Sequence, residues 1–167
     1  MRPPISQMMS VLCERVGLKA APGFYRAPIF LSALAIGAAV WVLVPVLTVA
    51  QPLPWPQILS LSFFVAVLWQ PVVEELLFRG CLQGWFLTHD WGPRSWVGIS
   101  IANILTSLIF AGAHVAAHTF PWAVSTMFPS LLFGVLRDRF GSILPPQALH
   151  IVYNAGYFML TGGSSLA

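Results

Sequence analysis

The sequence predicts an all-α fold: a polytopic integral membrane helical bundle of about five transmembrane helices, with a short N-terminal segment beside them. Three observations predict it. Of the 167 residues, 57% are hydrophobic and 8% charged, and the mean hydropathy is +0.80, far outside the soluble globular range. The apolar residues fall into five runs, at about 28–50, 57–88, 95–118, 121–136 and 146–160. The breaks between runs carry turn chemistry: Pro52, Pro54 and Pro56 around Trp55, the stretch His89-Asp90-Trp91-Gly92-Pro93, and Phe120-Pro121-Trp122. With no internal repeat or linker, residues 1–167 read as one membrane domain.

Residues 1–27 precede the first run and carry Arg2, Arg15, Lys19 and Arg26. Within them, residues 3–25 suit either a short amphipathic helix on the inner leaflet or a loosely ordered cytoplasmic tail. The first run is longer than the apolar core of a signal peptide, so it reads as a retained anchor although Thr48-Val49-Ala50 loosely mimics a cleavage site. Arg79 and Arg94 flank the second loop, and Arg137 and Arg139 close the fourth run. Five spans put all eight basic residues on or near one side, which the positive-inside rule makes cytoplasmic; the C-terminus is then outside. The basic residues are scattered and never interleave with aromatics, which argues against nucleic acid. Cys13 and Cys81 make no disulfide framework, and the Gly162-Gly163-Ser164-Ser165 tail is expected to fray.

The second run contains two of the five acidic residues, Glu74 and Glu75, together with Arg79. A charge near the bilayer centre costs roughly 2.5–3.5 kcal/mol on insertion scales, so three in one helix need compensation or a function. Glu75 and Arg79 stand at i and i+4, the favourable order for an intrahelical ion pair. Glu74 points about 100° away, on the face of Gln70 and Phe78, with no basic residue one turn from it. Its charge is left unexplained by pairing within the helix.

The third run carries Asn103, Ser107 and His114 as a polar stripe, with Phe110 one turn before His114 and Ala111, Gly112 and Ala113 between them as small residues that favour close helix approach. The fifth carries His150 and Asn154 on one face. A lone histidine on an apolar face is usually a hydrogen-bonded core residue. Two histidines, an asparagine and an unpaired glutamate on three membrane helices supply a base, proton donors and an amide able to stabilise an oxyanion, the minimum for adding water to an amide. Neither an HExxH helix nor a GxSxG elbow is present, and Asp90 and Asp138 are expected in loops. Zinc held by Glu74, His114 and His150 stays open as a variant of this chemistry. His118, one turn after His114, reads as a solvated interfacial histidine.

The ordered trio Glu74-Glu75-x-x-x-Arg79, Phe110-x-x-x-His114 and His150-x-x-x-Asn154 resembles the three signature motifs of the CPBP family, the CAAX proteases and bacteriocin-processing enzymes, across about residues 70–156. That family includes the type II CAAX prenyl endopeptidases of the Ras-converting-enzyme kind. The resemblance implies a glutamic-type intramembrane endopeptidase that cleaves near the C-terminus or membrane border of a membrane-associated protein or peptide. In it Glu74 would be the general base for water and His114 would help hold that water. His150 and Asn154 would stabilise the oxyanion, with Glu75, Arg79 and Phe110 in support. No cofactor is expected, zinc being the second choice. The expected partners are membrane lipid and the substrate, and the expected location is a bacterial inner membrane. The competing reading is a non-hydrolytic membrane protein that relays protons or binds a partner through the same polar cluster.

Depth adds one more expectation. A helix ending at Arg79 would leave Glu74 and His114 about 27 Å apart along the membrane normal. The helix should therefore continue to about Leu87, and Gly141-Ser142-Ile143-Leu144 should enter the membrane extended, with Pro145-Pro146 starting the last helix.

Overall fold

A computed structural model describes residues 5–47 and 52–162. Thr48-Val49-Ala50, Arg2 and the tail from residue 163 lie outside the described residues. Among the described residues seven helices of six residues or more organise the fold: α1 Ile5–Val16, α2 Pro28–Leu47, α3 Leu61–Phe86, α4 Ile101–His114, α5 Phe120–Ser125, α6 Met127–Phe140 and α7 Leu144–Thr161, with short helical turns at Phe24–Arg26 and Trp55–Ile58. The fold is thus all-α apart from one small hairpin. Among the described residues one helix, the 26-residue α3, is long and apolar enough to cross a membrane; the apolar stretches Pro28–Leu43 and Ile101–His114 are shorter.

Local chemistry sets the helix ends. Ser60 and Ser100 cap α3 and α4, each hydroxyl accepting from the backbone N–H three residues on. Pro145 and Pro146 open α7, where a missing N–H is harmless. As expected, α3 runs past Arg79 to Phe86.

Three expectations are corrected. The run 95–118 begins as a hairpin, Ser95–Trp96 paired antiparallel with Ile99–Ser100, because Val97 and Gly98 both adopt positive φ (51° and 79°) and make a tight turn. The run 121–136 breaks at Thr126 into α5 and α6, since Pro129 has no N–H for the Ser125 carbonyl. Residues 141–144 turn instead of extending: Gly141 is left-handed (φ 60°), its N–H closes on the Arg137 carbonyl at 2.9 Å, and Ile143 is already helical.

Packing places α7 between α2 and α6, with α4 against the other side of α6. Phe30 and Ala33 of α2, Phe133 and Leu136 of α6 and Leu149 of α7 form the shared core. Close approach relies on absent side chains. The Tyr153 ring lies over Gly37, the Trp41 ring over Gly156, and the Asn103 carboxamide over Gly134, whereas Gly112 faces open space. The distribution of polarity is inverted relative to a water-soluble domain: Glu75, Arg79, Gln83, Asn103, Thr106 and Ser130 are fully buried, while Leu31, Ile36, Val40, Trp69 and Leu77 are exposed. Such a surface suits lipid, where buried polar groups must find partners within the protein.

Of the N-terminal segment, residues Ile5–Val16 form helix α1, which is docked on the bundle. It packs on the lower half of α3, where Gly80 and Gly84 leave room for Val16 and the Arg15 carbonyl. Its C-terminal carbonyls are taken up by the other end of the chain. Arg137 Nη2 donates to Arg15 O (2.8 Å), Ser142 Oγ to Lys19 O (2.6 Å) and Ile143 N–H to Gly17 O (3.0 Å). Neither Cys13 nor Cys81 is in a disulfide.

Candidate active site

The two glutamates of α3 separate by face. Glu74 retains 17% of its side-chain exposure and opens on a cavity of about 720 Å³, whereas Glu75 is completely buried behind it. Gln70, one turn earlier, donates Nε2 to Glu74 Oε1 at 2.9 Å. The same cavity is lined by His114, His150 and Asn154, so α3, α4 and α7 all deliver their motif residues to it.

Glu75 and Arg79 form the pair that their spacing predicts: Arg79 Nε stands 3.4 Å from Glu75 Oε2, an ion pair without hydrogen-bond geometry. Additional contacts make this cation tolerable. Arg79 Nη2 donates to the Ser130 carbonyl (2.8 Å) and Oγ (2.6 Å), and the guanidinium carbon lies over the Phe110 ring at 4.9 Å and the Phe133 ring at 5.5 Å. Phe110 is therefore a wall between the charge of Arg79 and the cavity.

The closer partner of Glu75 is His150. Its Nδ1 lies 2.9 Å from Glu75 Oε1, and its ring stacks on Phe133 with centroids 4.6 Å apart. A proton on Nδ1 makes that bond, which leaves Nε2 facing Glu74 Oε2 at 3.7 Å. Burial and two fixed contacts orient the imidazole so that one nitrogen is structural and the other faces the cavity.

His114 hydrogen-bonds through Nδ1 to the Phe110 carbonyl of its own helix at 2.8 Å, which points Nε2 outward. It belongs to an aromatic stack with His118 and Trp122, the last two only 4.0 Å apart. His118 lines the cavity and is half-buried, not simply solvated. Asn154 donates Nδ2 to the Ala66 carbonyl at 2.9 Å. The Asn103 and Ser107 stripe stays away from the cavity, with Asn103 binding the Leu131 carbonyl and Ser107 binding Asn103. Among the described residues no three His, Cys, Asp or Glu side chains are grouped so as to hold a metal ion.

Sequence reasoning missed Gln70 as a hydrogen-bond donor, Ser130, Trp122 and the Ala66 carbonyl. Gln70 was findable from its i−4 relation to Glu74. Ser130 and Trp122 had no such signal, since their roles come only from tertiary packing.

A helical protein in which one carboxylate, three imidazoles and an amide meet at one apolar-walled cavity is thus defined. Residues 54–156 match the family model of the type II CAAX prenyl endopeptidase Rce1-like proteins, and the chain belongs to that family. It is accordingly a membrane-embedded protease of the CAAX type. No curated protein and no solved structure matches the chain.

Proposed function

We propose that the protein hydrolyses a peptide bond near the C-terminus or membrane border of its substrate with Glu74 as general base, without a metal. Glu74 takes a proton from a water held between it and His114, and the water oxygen attacks the carbonyl carbon. The remaining Nδ2–H of Asn154 then donates to the developing oxyanion, and His150, its Nδ1–H held by Glu75, donates from Nε2 as well when the ring carries a second proton. Glu74 returns the proton to the amide nitrogen, and the C–N bond breaks. Glu75 and Arg79 orient His150 and do not touch the substrate.

The observation that carries this reading is the placement of Glu74 Oε2, exposed to the cavity and 3.7 Å from His150 Nε2, while Glu75 is sealed behind. Adding the five-run hydropathy and the one-sided basic residues, we assign a single membrane domain with five spans, N-terminus cytoplasmic and C-terminus outside, in a bacterial inner membrane. Co-expression with tagged membrane-anchored reporters tests the chemistry. Wild type cleaves a reporter and Glu74→Gln at matched protein level does not; cleavage by Glu74→Gln overturns the assignment.

A further inference from the structure

Helix α3 is not uniformly wound. Two π-helical stretches, Val65–Trp69 and Leu76–Gln83, flank the short α stretch Gln70–Glu75 that carries both glutamates. In the first stretch the Gln70 N–H reaches back five residues to the Val65 carbonyl. The next donor in that register would be residue 71, which is proline and fully buried. Ala66, 4% exposed, is thereby left with a carbonyl that has no donor in register. Asn154 supplies it: Nδ2 crosses from α7 and donates at 2.9 Å.

We infer that Pro71 is a positioning residue, which holds the π turn open while Asn154 fills the acceptor it vacates, and that this pair sets the rotational phase of Glu74. In an uninterrupted α-helix the proline ring would meet the Val67 carbonyl four residues back; the wider turn removes that clash. A π turn accommodates one additional residue, and each α-helical residue advances about 100°. Relative to the start of α3, Glu74 therefore stands where Val73 would stand on an unbroken helix. Closing the turn would present Val73 to the cavity and swing Glu74 away. Val73 is now 42% exposed on the outer surface.

The inference rests on Glu74 as the reacting carboxylate, but its test reads orientation and not cleavage, so the two can fail separately. The full chain, with Cys13→Ser and Cys81→Ser, carries a reporter thiol as either Glu74→Cys or Val73→Cys in detergent. Both are labelled with a small water-soluble methanethiosulfonate. Adding Pro71→Ala is expected to slow labelling of the Glu74→Cys reporter several-fold and to speed the Val73→Cys reporter, while the melting temperature holds or rises because a helix-interior proline has gone. Asn154→Leu in the proline chain gives a second route to the same loss of phase. Melting also reports the lock: Asn154→Leu lowers the midpoint less in the Pro71→Ala chain, where a backbone N–H can serve Ala66, than in the Pro71 chain. Unchanged labelling of both reporters, or equal midpoint losses in both chains, overturns the inference.

Discussion

Glu75 Oε1 and His150 Nδ1 stand 2.9 Å apart, a buried contact between residues 75 positions apart in the chain. A carboxylate on one imidazole nitrogen fixes both the tautomer and the ring plane, as such pairs do around catalytic and metal-bound histidines. The other nitrogen is then committed to the cavity beside Glu74. Adjacent glutamates thus hold opposite ends of one ring, and only the exposed one can reach water.

Glu74→Gln removes the proposed base and is expected to lower turnover by about 10²–10⁴-fold with little loss of folded protein. Glu75→Gln keeps an acceptor for His150 but leaves Arg79 without its counter-charge, so its main effect is on stability. Cleavage assays on a tagged reporter, normalised to folded protein by gel-filtration yield, separate the two. Similar normalised losses would contradict the division of roles.

Breaking the buried pair from the cationic side has a different signature. Glu75 alone in the core is expected to cost about 3–5 kcal/mol in Arg79→Met. The double variant Glu75→Leu/Arg79→Met removes both charges and should recover much of that stability while remaining impaired, because His150 is no longer oriented. Thermal unfolding of wild type, Glu75→Leu, Arg79→Met and the double variant forms a complete cycle.

Docking of α1 is testable at Gly84, where a Cβ would come within 2.5 Å of the Arg15 carbonyl oxygen. Gly84→Val should destabilise by about 1–3 kcal/mol, the usual range for overpacking. Gly112→Ala, at a position with nothing within 4 Å, should be neutral or slightly stabilising in the same melting assay.

Asp138, expected in a loop, lies instead in the last turn of α6, two residues past the apolar run 121–136. Burial raises its carboxyl above the ordinary value of 3.8, against lowering by the hydrogen bond from Gln83 and by the charge of Arg137. Gln83 donates to Oδ1 at 2.7 Å, and Oδ2 is buried without a partner. A raised folded-state value means that Asp138 supports folding below pH 3.8, and that this support is lost as pH rises through the folded value. Asp138→Asn should therefore gain in melting temperature relative to wild type as pH increases, with the difference disappearing in acid.

Much of the site was legible because it depends on helical phase. The i, i+4 spacing found the Glu75–Arg79 pair, and the face shared with Gln70 identified the glutamate that stands apart from it. The Glu75–His150 contact was not legible, since it joins two helices whose relative rotation no local pattern states. Pro71 reads as an ordinary apolar residue within a greasy run; only the five-residue step at Gln70 reveals what it does to the ladder. The hairpin at Ser95–Ser100 escaped because its turn holds Val97 in a conformation that β-branched residues rarely adopt. The break at Thr126 and the turn at Gly141 had their signals, Pro129 and the glycine itself, but apolarity outweighed them.

The partners of the two α3 carbonyls, Ala66 O and Arg79 O, are Asn154 and Arg137, 88 and 58 residues further along the chain. During synthesis α3 therefore enters the membrane long before either donor has left the ribosome. Until then its acceptors, and the charges of Glu74, Glu75 and Arg79, must be shielded by the insertion machinery or by α2. Helix α7 thus supplies a donor that the α3 ladder lacks, so a nascent chain short of Asn154 leaves the Ala66 carbonyl without it.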